Sequence, residues 1–348
     1  MRYSKDTAGI YPAGKLPQED LLELLKGQAI DDPRVILGPG LGRDAAVIDF
    51  GERCLVTKSD PITFATDEIG WYVVHVNAND IACLGASPLW FIATLLLPEN
   101  KTSKTLVRNL FKQLQSGCSE VGATLVGGHT EVTIGLDRPI AIGTMFGEVS
   151  HAQLIRSDGA RPGDKLLLTK QIAVEGTALL AREAREVLQN IVPEALLERA
   201  ARFLHDPGIS VVRDAAILLH TGQVHAMHDP TEGGIATGLR EITEAAGVGA
   251  LVEADALPIY PETRAFCEAL HLDPLGLIAS GSLLAAVAAE DAESMVHALQ
   301  AANIPATLIG TVCETPGVTL HNQTGQHPLP IFARDEIARF FEDRKAYA

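Results

Sequence analysis

The sequence predicts an α+β fold with two domains, each built from strands and amphipathic helices. A chain of 348 residues exceeds what one hydrophobic core usually serves, so two domains are expected. Apolar, strand-like runs and helical stretches follow one another in both halves, but strict strand–helix–strand repetition is absent. An α+β architecture therefore fits better than a doubly wound parallel sheet.

The elements of the first half follow from hydrophobic periodicity and from its glycine and proline boundaries. Helices are predicted for LPQEDLLELLKG (16–27), EIGWYVVHVNANDIACLGA (68–86) and TSKTLVRNLFKQLQSGCSEVG (102–122). Short strands are predicted for AAVIDF, CLVTKSD, PLWFIATLLL and PIAIGTMFGEV. The stretch ATLVGGHTEV predicts a strand that breaks into a glycine turn.

The stretch IRSDGARPGD (155–164) is rich in glycine, proline and charge, which is typical of a domain boundary. We therefore divide the chain into an N-terminal domain, 1–154, and a C-terminal domain, 155–348. The second part begins with the strand KLLLTK and the helix GTALLAREAREVLQN. The strand VHAMHD then leads into a turn and the helix PTEGGIATGLREITEAAG.

The charge of the chain disfavours some classes of partner, and its cysteine content indicates a cellular compartment. The chain has 44 acidic and 28 basic side chains, a net charge of −16, which disfavours nucleic acid and anionic membranes as partners. Five cysteines form no C-x-x-C pair, as expected of reduced thiols in the cytoplasm. The N-terminal MRYSKDTAGIYPAGK lacks the apolar core of a signal peptide. A polyanionic substrate would need divalent cations to approach so acidic a protein.

The glycine-rich stretch GPGLGRDAAVIDF (38–50) suggests a loop that holds phosphate. It is not a dinucleotide fingerprint, because the third glycine position is Arg43 and the following residues are strand-like. It is not a Walker A loop either, since the chain's one Gly-Lys pair is followed by Leu16. A plain tight turn and a nucleotide site of another kind both remain open from spacing alone.

Carboxylates recur at the ends of short strands or on a helix beside glycine turns. Asp44 precedes AAVIDF, Asp60 ends LVTKSD, Asp80 lies in NAND, and Asp229 ends VHAMHD. Each one alone is an ordinary solvent-facing residue. Together they suggest oxygen ligands for Mg²⁺, which favours a few carboxylates supplemented by water and phosphate.

Six motifs in order resemble the AIR synthase (PurM) superfamily. They are GRDAAVI, TKSDPITF, VNANDIACLGASPLW, LVGGHTEV, IRSDGARPGD and HDPTEGGIATGL, and they cover nearly the whole chain. The resemblance implies a two-domain α+β subunit that binds ATP and Mg²⁺ in a cleft. It also implies a homodimer in which the N-terminal domains pair through their sheets.

The resemblance implies a role for each matching residue. The implied metal ligands are Asp44, Asp60, Asp80, Asp229 and Glu232. The implied nucleotide-binding residues are Gly40, Gly42, Ser59, Asn79, Gly128, Arg156 and Thr231. The implied catalytic residues are His129, Asp229 and Glu232.

The branch of the superfamily stays open from the sequence. The body most resembles the hydrogenase maturation factor HypE, but the cysteine tail of that branch is replaced by FFEDRKAYA. Thiamine-monophosphate kinases carry D-I-S-D-G-L where this chain has DPTEGG, so Glu232 replaces an aspartate. We expect an ATP- and Mg²⁺-dependent phosphotransferase or synthetase acting on an unidentified small or protein-borne acceptor. The alternatives are a thiamine-monophosphate kinase-like enzyme and a non-catalytic nucleotide-binding partner in a maturation complex.

The histidines have different predicted roles. His129 lies in GGHTEV and is predicted either to serve in metal binding or proton transfer, or to support the turn. His225 and His228 are three residues apart on a strand and so point to opposite faces, which disfavours a shared metal. His75 is predicted to pack within its helix.

Overall fold

The first half of the chain forms a six-stranded sheet within the described residues. The computed structural model describes residues 16, 18–25, 30–40, 43, 45–63, 65 and 67–347, so Gly42 and Asp44 lie outside them. The strand order is β1-β2-β3-β6-β4-β5, and all neighbours are antiparallel except β4 and β5. The strands are β1 (Val35–Leu37), β2 (Ala46–Asp49), β3 (Arg53–Ile62), β4 (Ser87–Pro98), β5 (Thr124–Thr133) and β6 (Ile140–Ser150).

Three helices accompany this sheet: α1 (Gln18–Leu25), α2 (Ile69–Cys83) and α3 (Lys104–Val121). Helix α3 is amphipathic, and Ser103 is its N-cap. The Ser103 hydroxyl accepts a hydrogen bond from the Leu106 amide, and serine is a favoured N-cap residue. Every residue of α2 is buried. A helix buried all round must pack against partners on several sides.

The second half forms a seven-stranded sheet in the order β13-β12-β9-β11-β7-β10-β8. Its strands are β7 (Lys165–Thr169), β8 (Val224–His228), β9 (Gly249–Glu253), β10 (Leu284–Val287), β11 (Ala306–Cys313), β12 (Gly317–Asn322) and β13 (Gly325–Pro328). Its helices are α4 (Val174–Glu183), α5 (Arg185–Leu188), α6 (Glu194–Ala201), α7 (Val212–Thr221), α8 (Gly234–Ala246), α9 (Pro261–Leu270), α10 (Ala292–Ala301) and α11 (Glu336–Tyr347). The mixture of largely antiparallel sheets and helices confirms the predicted α+β class.

Helices cover both faces of the second sheet. Apolar residues of α8 pack on one face, and those of α7 and α10 pack on the other. Helices α4, α6 and α9 contribute to the same apolar core as α2 and α3 of the first half. The linking segment runs from Ser150 to Lys165, and a boundary at 154/155 stays a prediction.

Two predicted element ends are wrong. The stretch 124–133 does not break into a turn, because it pairs with β4 along its whole length as strand β5. The register shift between Phe91 and Ile92 leaves Val126 as a bulge, and Gly127 and Gly128 pair with Ile92 and Ala93. Asp60 does not end its strand, because β3 stays paired with β6 as far as Ile62.

Membrane-spanning helices are absent from the described part of the chain, since none of its helices combines sufficient length with sufficient apolar character. Four of the five cysteines are buried, and Cys313 is half-buried.

A side-chain clamp fixes α2 against the first sheet. The Asn77 carboxamide oxygen accepts a hydrogen bond from the Asp60 amide at 2.9 Å. Its nitrogen donates to the Asp60 carbonyl at 3.2 Å and to the Val73 carbonyl at 2.8 Å. Gly143 faces Asp60 on β6, and a Cβ there would lie 2.7 Å from the Asn77 side-chain nitrogen. The glycine therefore leaves the space that the clamp needs.

Gly143→Ala should destabilise the protein by about 1–3 kcal/mol, because the added methyl group overpacks the clamp and the Phe91 ring. Chemical denaturation measures the change in the free energy of unfolding. Gly127→Ala on β5 is the matched control, since a Cβ there meets nothing within 4 Å. Equal stability of wild type and Gly143→Ala would show that Asn77 does not need this space.

Candidate active site

Helix α2 carries four buried polar side chains into the interior: His75, Asn77, Asn79 and Asp80. Buried polar groups must find hydrogen-bond or charge partners, or they destabilise the fold. In α2 these partners come from different elements of both halves. The helix therefore positions the groups of the candidate site.

Asp60 and Asp80 approach each other through a shared lysine. The Lys58 ammonium lies 3.2 Å from Asp60 Oδ2 and 3.1 Å from Asp80 Oδ2. Lys58 and Asp60 are two residues apart on β3 and so point to the same face of the sheet, the face that α2 covers. The Asn77 clamp places Asp80, three residues further along the helix, opposite them.

The chemistry of this pair fits a cation, because two carboxylates supply hard oxygen ligands of the kind that Mg²⁺ prefers. The positive charge now between them is the Lys58 ammonium. Within the residues that the structure describes, no three His, Cys, Asp or Glu side chains converge closely enough to hold a metal ion. The five predicted metal ligands are thus not assembled into one cluster there, and Asp44 falls outside the described ranges.

Asn79 joins the two halves of the molecule. Its carboxamide nitrogen donates to Asp229 Oδ2 and to the Ile209 carbonyl, both at 2.8 Å, and its oxygen accepts from the Val211 amide at 2.9 Å. Asn79 has no exposed surface and Asp229 is almost fully buried. The predicted nucleotide contact of Asn79 does not fit this burial. Instead, Asn79 holds Asp229 beside α2. Asn79 directly precedes Asp80 in the helix.

The turn after Asp229 opens helix α8 through two glycines with left-handed backbone. Gly233 has φ 78° and Gly234 has φ 62°, conformations that glycine adopts without steric cost. Thr231 and Glu232, both predicted site residues, are half-buried on this turn. The Gly233 amide donates to the Asp335 carboxylate at 2.7 Å, so a residue just before α11 covers the start of α8.

Several carboxyls share this region, and burial, together with their repulsion, raises the pKa of two of them. Burial chiefly, with the negative charges of Glu232, Asp229 and Asp335, raises the pKa of Glu175 from 4.5 to about 8. Burial chiefly, with the charge of Glu232, raises the pKa of Asp335 from 3.8 to about 7. The site therefore retains protons that isolated carboxyls would have lost at neutral pH.

Ser59 does not join the carboxylate pair. On β3 it points to the opposite sheet face from Lys58 and Asp60, because strand side chains alternate. Its hydroxyl donates to the Gly143 carbonyl at 2.8 Å and accepts from the Thr144 hydroxyl at 3.0 Å. Ser59 thus lies on the other face of the sheet from the carboxylate pair, and its predicted role in nucleotide binding stays a prediction.

His129 and Gly128 lie at the far edge of the first sheet. The register aligns Asp60 with Gly143, Gly143 with Ala93, and Ala93 with Gly128, three strand spacings or about 14 Å in all. Gly128 has φ 148°, and a Cβ there would lie 1.9 Å from the Ala93 carbonyl oxygen, so close strand packing alone requires a glycine. His129 is exposed and lies 3.4 Å from Glu131. The structure does not bring His129 to the carboxylate pair.

Arg156 and the glycine-rich stretch lie in one region. Arg156 forms a bidentate ion pair with Asp158, with N–O distances of 2.7 and 2.8 Å. Arg156 chiefly lowers the pKa of Asp158 against the opposing effect of burial, and the charge of Arg43 lowers it further. Arg43 in turn donates to the Gly38 carbonyl at 3.1 Å and fills the space over Gly40. Arg43 thus packs on Gly40, and the predicted nucleotide contacts of Gly40 and Arg156 stay predictions.

His75, His225 and His228 have separate partners, and His75 is buried as predicted. His75 stacks on Trp71 with ring centroids 3.9 Å apart and lies 3.2 Å from Glu120, and burial lowers its pKa to about 4. The other two have separate carboxylate partners: His225 lies 2.8 Å from Asp164, and His228 lies 2.9 Å from Glu241.

Three residues of the site escaped the sequence analysis: Lys58, Glu175 and Asp335. A signal exists for Lys58, because it precedes Asp60 by two residues in a strand and so had to share its face. Nothing in the sequence around Glu175 or Asp335 indicates that these residues belong to the site. Their place in the site comes from packing between elements far apart in the sequence.

Comparison with known proteins decides the family. The AIR synthase related protein N-terminal domain matches residues 42–149, and the C-terminal domain of the same family matches residues 161–322. The chain belongs to the AIR synthase related family. This confirms the resemblance seen in the motifs and accounts for the two sheets.

Relatives within the AIR synthase related family include hydrogenase maturation proteins. The chain is 29% identical to a putative hydrogenase expression/formation protein of Methanocaldococcus jannaschii, over 94% of this chain and 96% of the relative. It is 32% identical to the carbamoyl dehydratase HypE of Rhizobium leguminosarum, over 86% and 84%. A crystal structure of HypE in complex with ATP superposes with a TM-score of 0.70 at 26% identity, covering 91% and 96%.

The raised pKa of Glu175 makes the stability of this AIR synthase related protein depend on pH. A carboxyl whose folded pKa lies above its unfolded value contributes no penalty below about pH 4.5 and destabilises progressively as the pH rises to about 8. The polar groups that face it are Ser280, Tyr72, Asp229, Glu232 and Asp335. Glu175→Gln removes the titration and should melt at least about 2 °C above wild type at pH 8.5, with little difference at pH 4.

Thermal melts at both pH values, with chelator and without nucleotide, measure this difference. Glu99→Gln is the control, since Glu99 is exposed in the turn after β4. A Glu175→Gln difference that is the same at pH 4 and pH 8.5 would contradict the assignment.

Proposed function

We propose that this protein binds ATP with Mg²⁺ and uses it to activate an oxygen of a small acceptor, in a reaction of the HypE type. The observation that carries the proposal is the position of α2. One buried helix presents Asp80 to Asp60 of the first half and, through Asn79, holds Asp229 of the second half. The proposal is supported by the ATP complex of the related HypE structure.

The residues of the proposed site come from both halves of the chain. Asp60 and Asp80 supply oxygen ligands on the first-half side, while Thr231 and Glu232 lie on the turn before α8. Bound ATP and Mg²⁺ supply a transferable phosphoryl group whose charge the metal screens, so the protein chiefly positions and neutralises. Arg156 and the glycine-rich stretch around Gly40 form the third side of the proposed cleft, after the Asp60–Asp80 pair and the turn before α8.

The catalytic role of His129 stays a prediction. Its side chain is exposed at the sheet edge, about 14 Å in strand spacings from Asp60. Asp229 and Glu232 are better placed, because the Asn79 bond holds their turn against α2.

We propose that the protein is a cytoplasmic homodimer that pairs through the first sheet. Edge strand β5 is exposed over nearly its whole length, and Val126 and Val132 on it are 53% and 55% exposed. Trp90 on the adjacent β4 is 39% exposed. An uncovered edge with apolar side chains invites pairing with a second chain. The mass of the protein in solution, against 37.0 kDa for one chain, tests this.

Asp80→Asn should weaken Mg²⁺-dependent ATP binding at least about tenfold, since the loss of one charge-assisted ligand costs about 1.4 kcal/mol or more. Isothermal titration with ATP, in Mg²⁺ and in chelator, measures the affinity. Product analysis that separates ADP from AMP across candidate acceptors, thiamine monophosphate included, then identifies the reaction.

Asp137→Asn is the matched control, because Asp137 is an exposed carboxylate whose partner is Lys101 on the surface. Wild-type protein that binds no ATP would refute the proposal. Tight binding without turnover for any acceptor would favour a nucleotide-binding partner protein. Unchanged affinity in Asp80→Asn would place the nucleotide elsewhere.

A further inference from the structure

Lys58 occupies a position that the implied chemistry of the site does not explain. Its ammonium lies between two carboxylates that the family pattern assigns to metal ions, at 3.2 Å and 3.1 Å. A lysine on the exposed side of a strand would be an ordinary surface cation. This one is only 22% exposed and faces a carboxylate, Asp80, that is 5% exposed.

The contact is built into the fold. Strand alternation places Lys58 on the same face as Asp60, and the Asn77 clamp fixes α2 so that Asp80 meets the same ammonium. A buried carboxylate needs a countercharge, since an unpaired one is strongly destabilising. Lys58 supplies that countercharge from within the chain.

We propose that Lys58 is the resident cation of the Asp60–Asp80 pair and limits divalent-cation binding there. The two carboxylates carry a charge of −2, and the ammonium reduces it to −1. A divalent cation approaching the pair meets this reduced charge and is also repelled by the ammonium. Lys58 thus acts as a positioning residue that sets how much metal this part of the site takes up.

This inference deepens the proposed function, on which its biological meaning rests. In a site with a built-in cation, fewer divalent ions accompany the nucleotide than in a site of carboxylates alone.

The test uses Mn²⁺ alone, without nucleotide, as a paramagnetic probe counted by electron paramagnetic resonance on the full chain. Lys58→Met removes the charge and keeps the aliphatic stem, and it should bind Mn²⁺ at least tenfold more tightly than wild type. Lys58→Arg keeps the charge and should behave like wild type. The double variant Lys58→Met with Asp80→Asn should lose the gain, which assigns the bound ion to this pair.

Lys101→Met is the matched control, because it removes an exposed ammonium that lies 3.8 Å from Asp137. Mn²⁺ affinity in Lys58→Met within twofold of wild type would overturn the proposal, as would a gain that survives Asp80→Asn. If Lys58→Met does not fold, Lys58→Gln serves in the same titration. Because no nucleotide is present, a failure of ATP binding refutes the proposed function without deciding this result.

Discussion

Buried polar side chains destabilise a fold unless they find partners, and Asn77, Asn79 and Asp80 of the buried helix α2 all find them. Asn77 finds the backbone of β3, Asn79 finds Asp229 and the chain before α7, and Asp80 finds Lys58. His75 lies against Trp71 and Glu120. Since leaving any of these groups unpaired costs about 1–3 kcal/mol or more, the partners must assemble in one arrangement. The need of these buried side chains for partners therefore determines how the site is assembled.

The same constraint concentrates negative charge. By drawing Asp229 and its turn against α2, the Asn79 bond also brings Glu232 near Glu175 and Asp335, and burial with mutual repulsion raises the pKa of the latter two. Such crowding opposes folding at high pH and favours the binding of cations. A protein with a net charge of −16 thus has a local reason to take up positive charge at this place.

Much of the fold was predictable, because periodicity and ordered motifs are local properties of the chain. The α+β class, the helix over 68–86 and the AIR synthase related family all follow from them. The continuous strand through Gly128 does not follow from them, since it depends on pairing with β4, where the bulge falls at Val126. Ser59 and Asn79 were assigned by motif, but strand alternation and burial turn their side chains to other partners. Contacts such as Lys58 with Asp80 depend on packing between a strand and a helix, which spacing alone cannot give.

The most direct test of this account is a crystal structure with a non-hydrolysable ATP analogue and Mg²⁺. The account predicts that the phosphates lie between the Asp60–Asp80 pair and the turn from Asp229 to Gly234, with the Asn79–Asp229 hydrogen bond intact. An analogue bound at the β5 edge beside His129, or a complex in which that bond is broken, would contradict it.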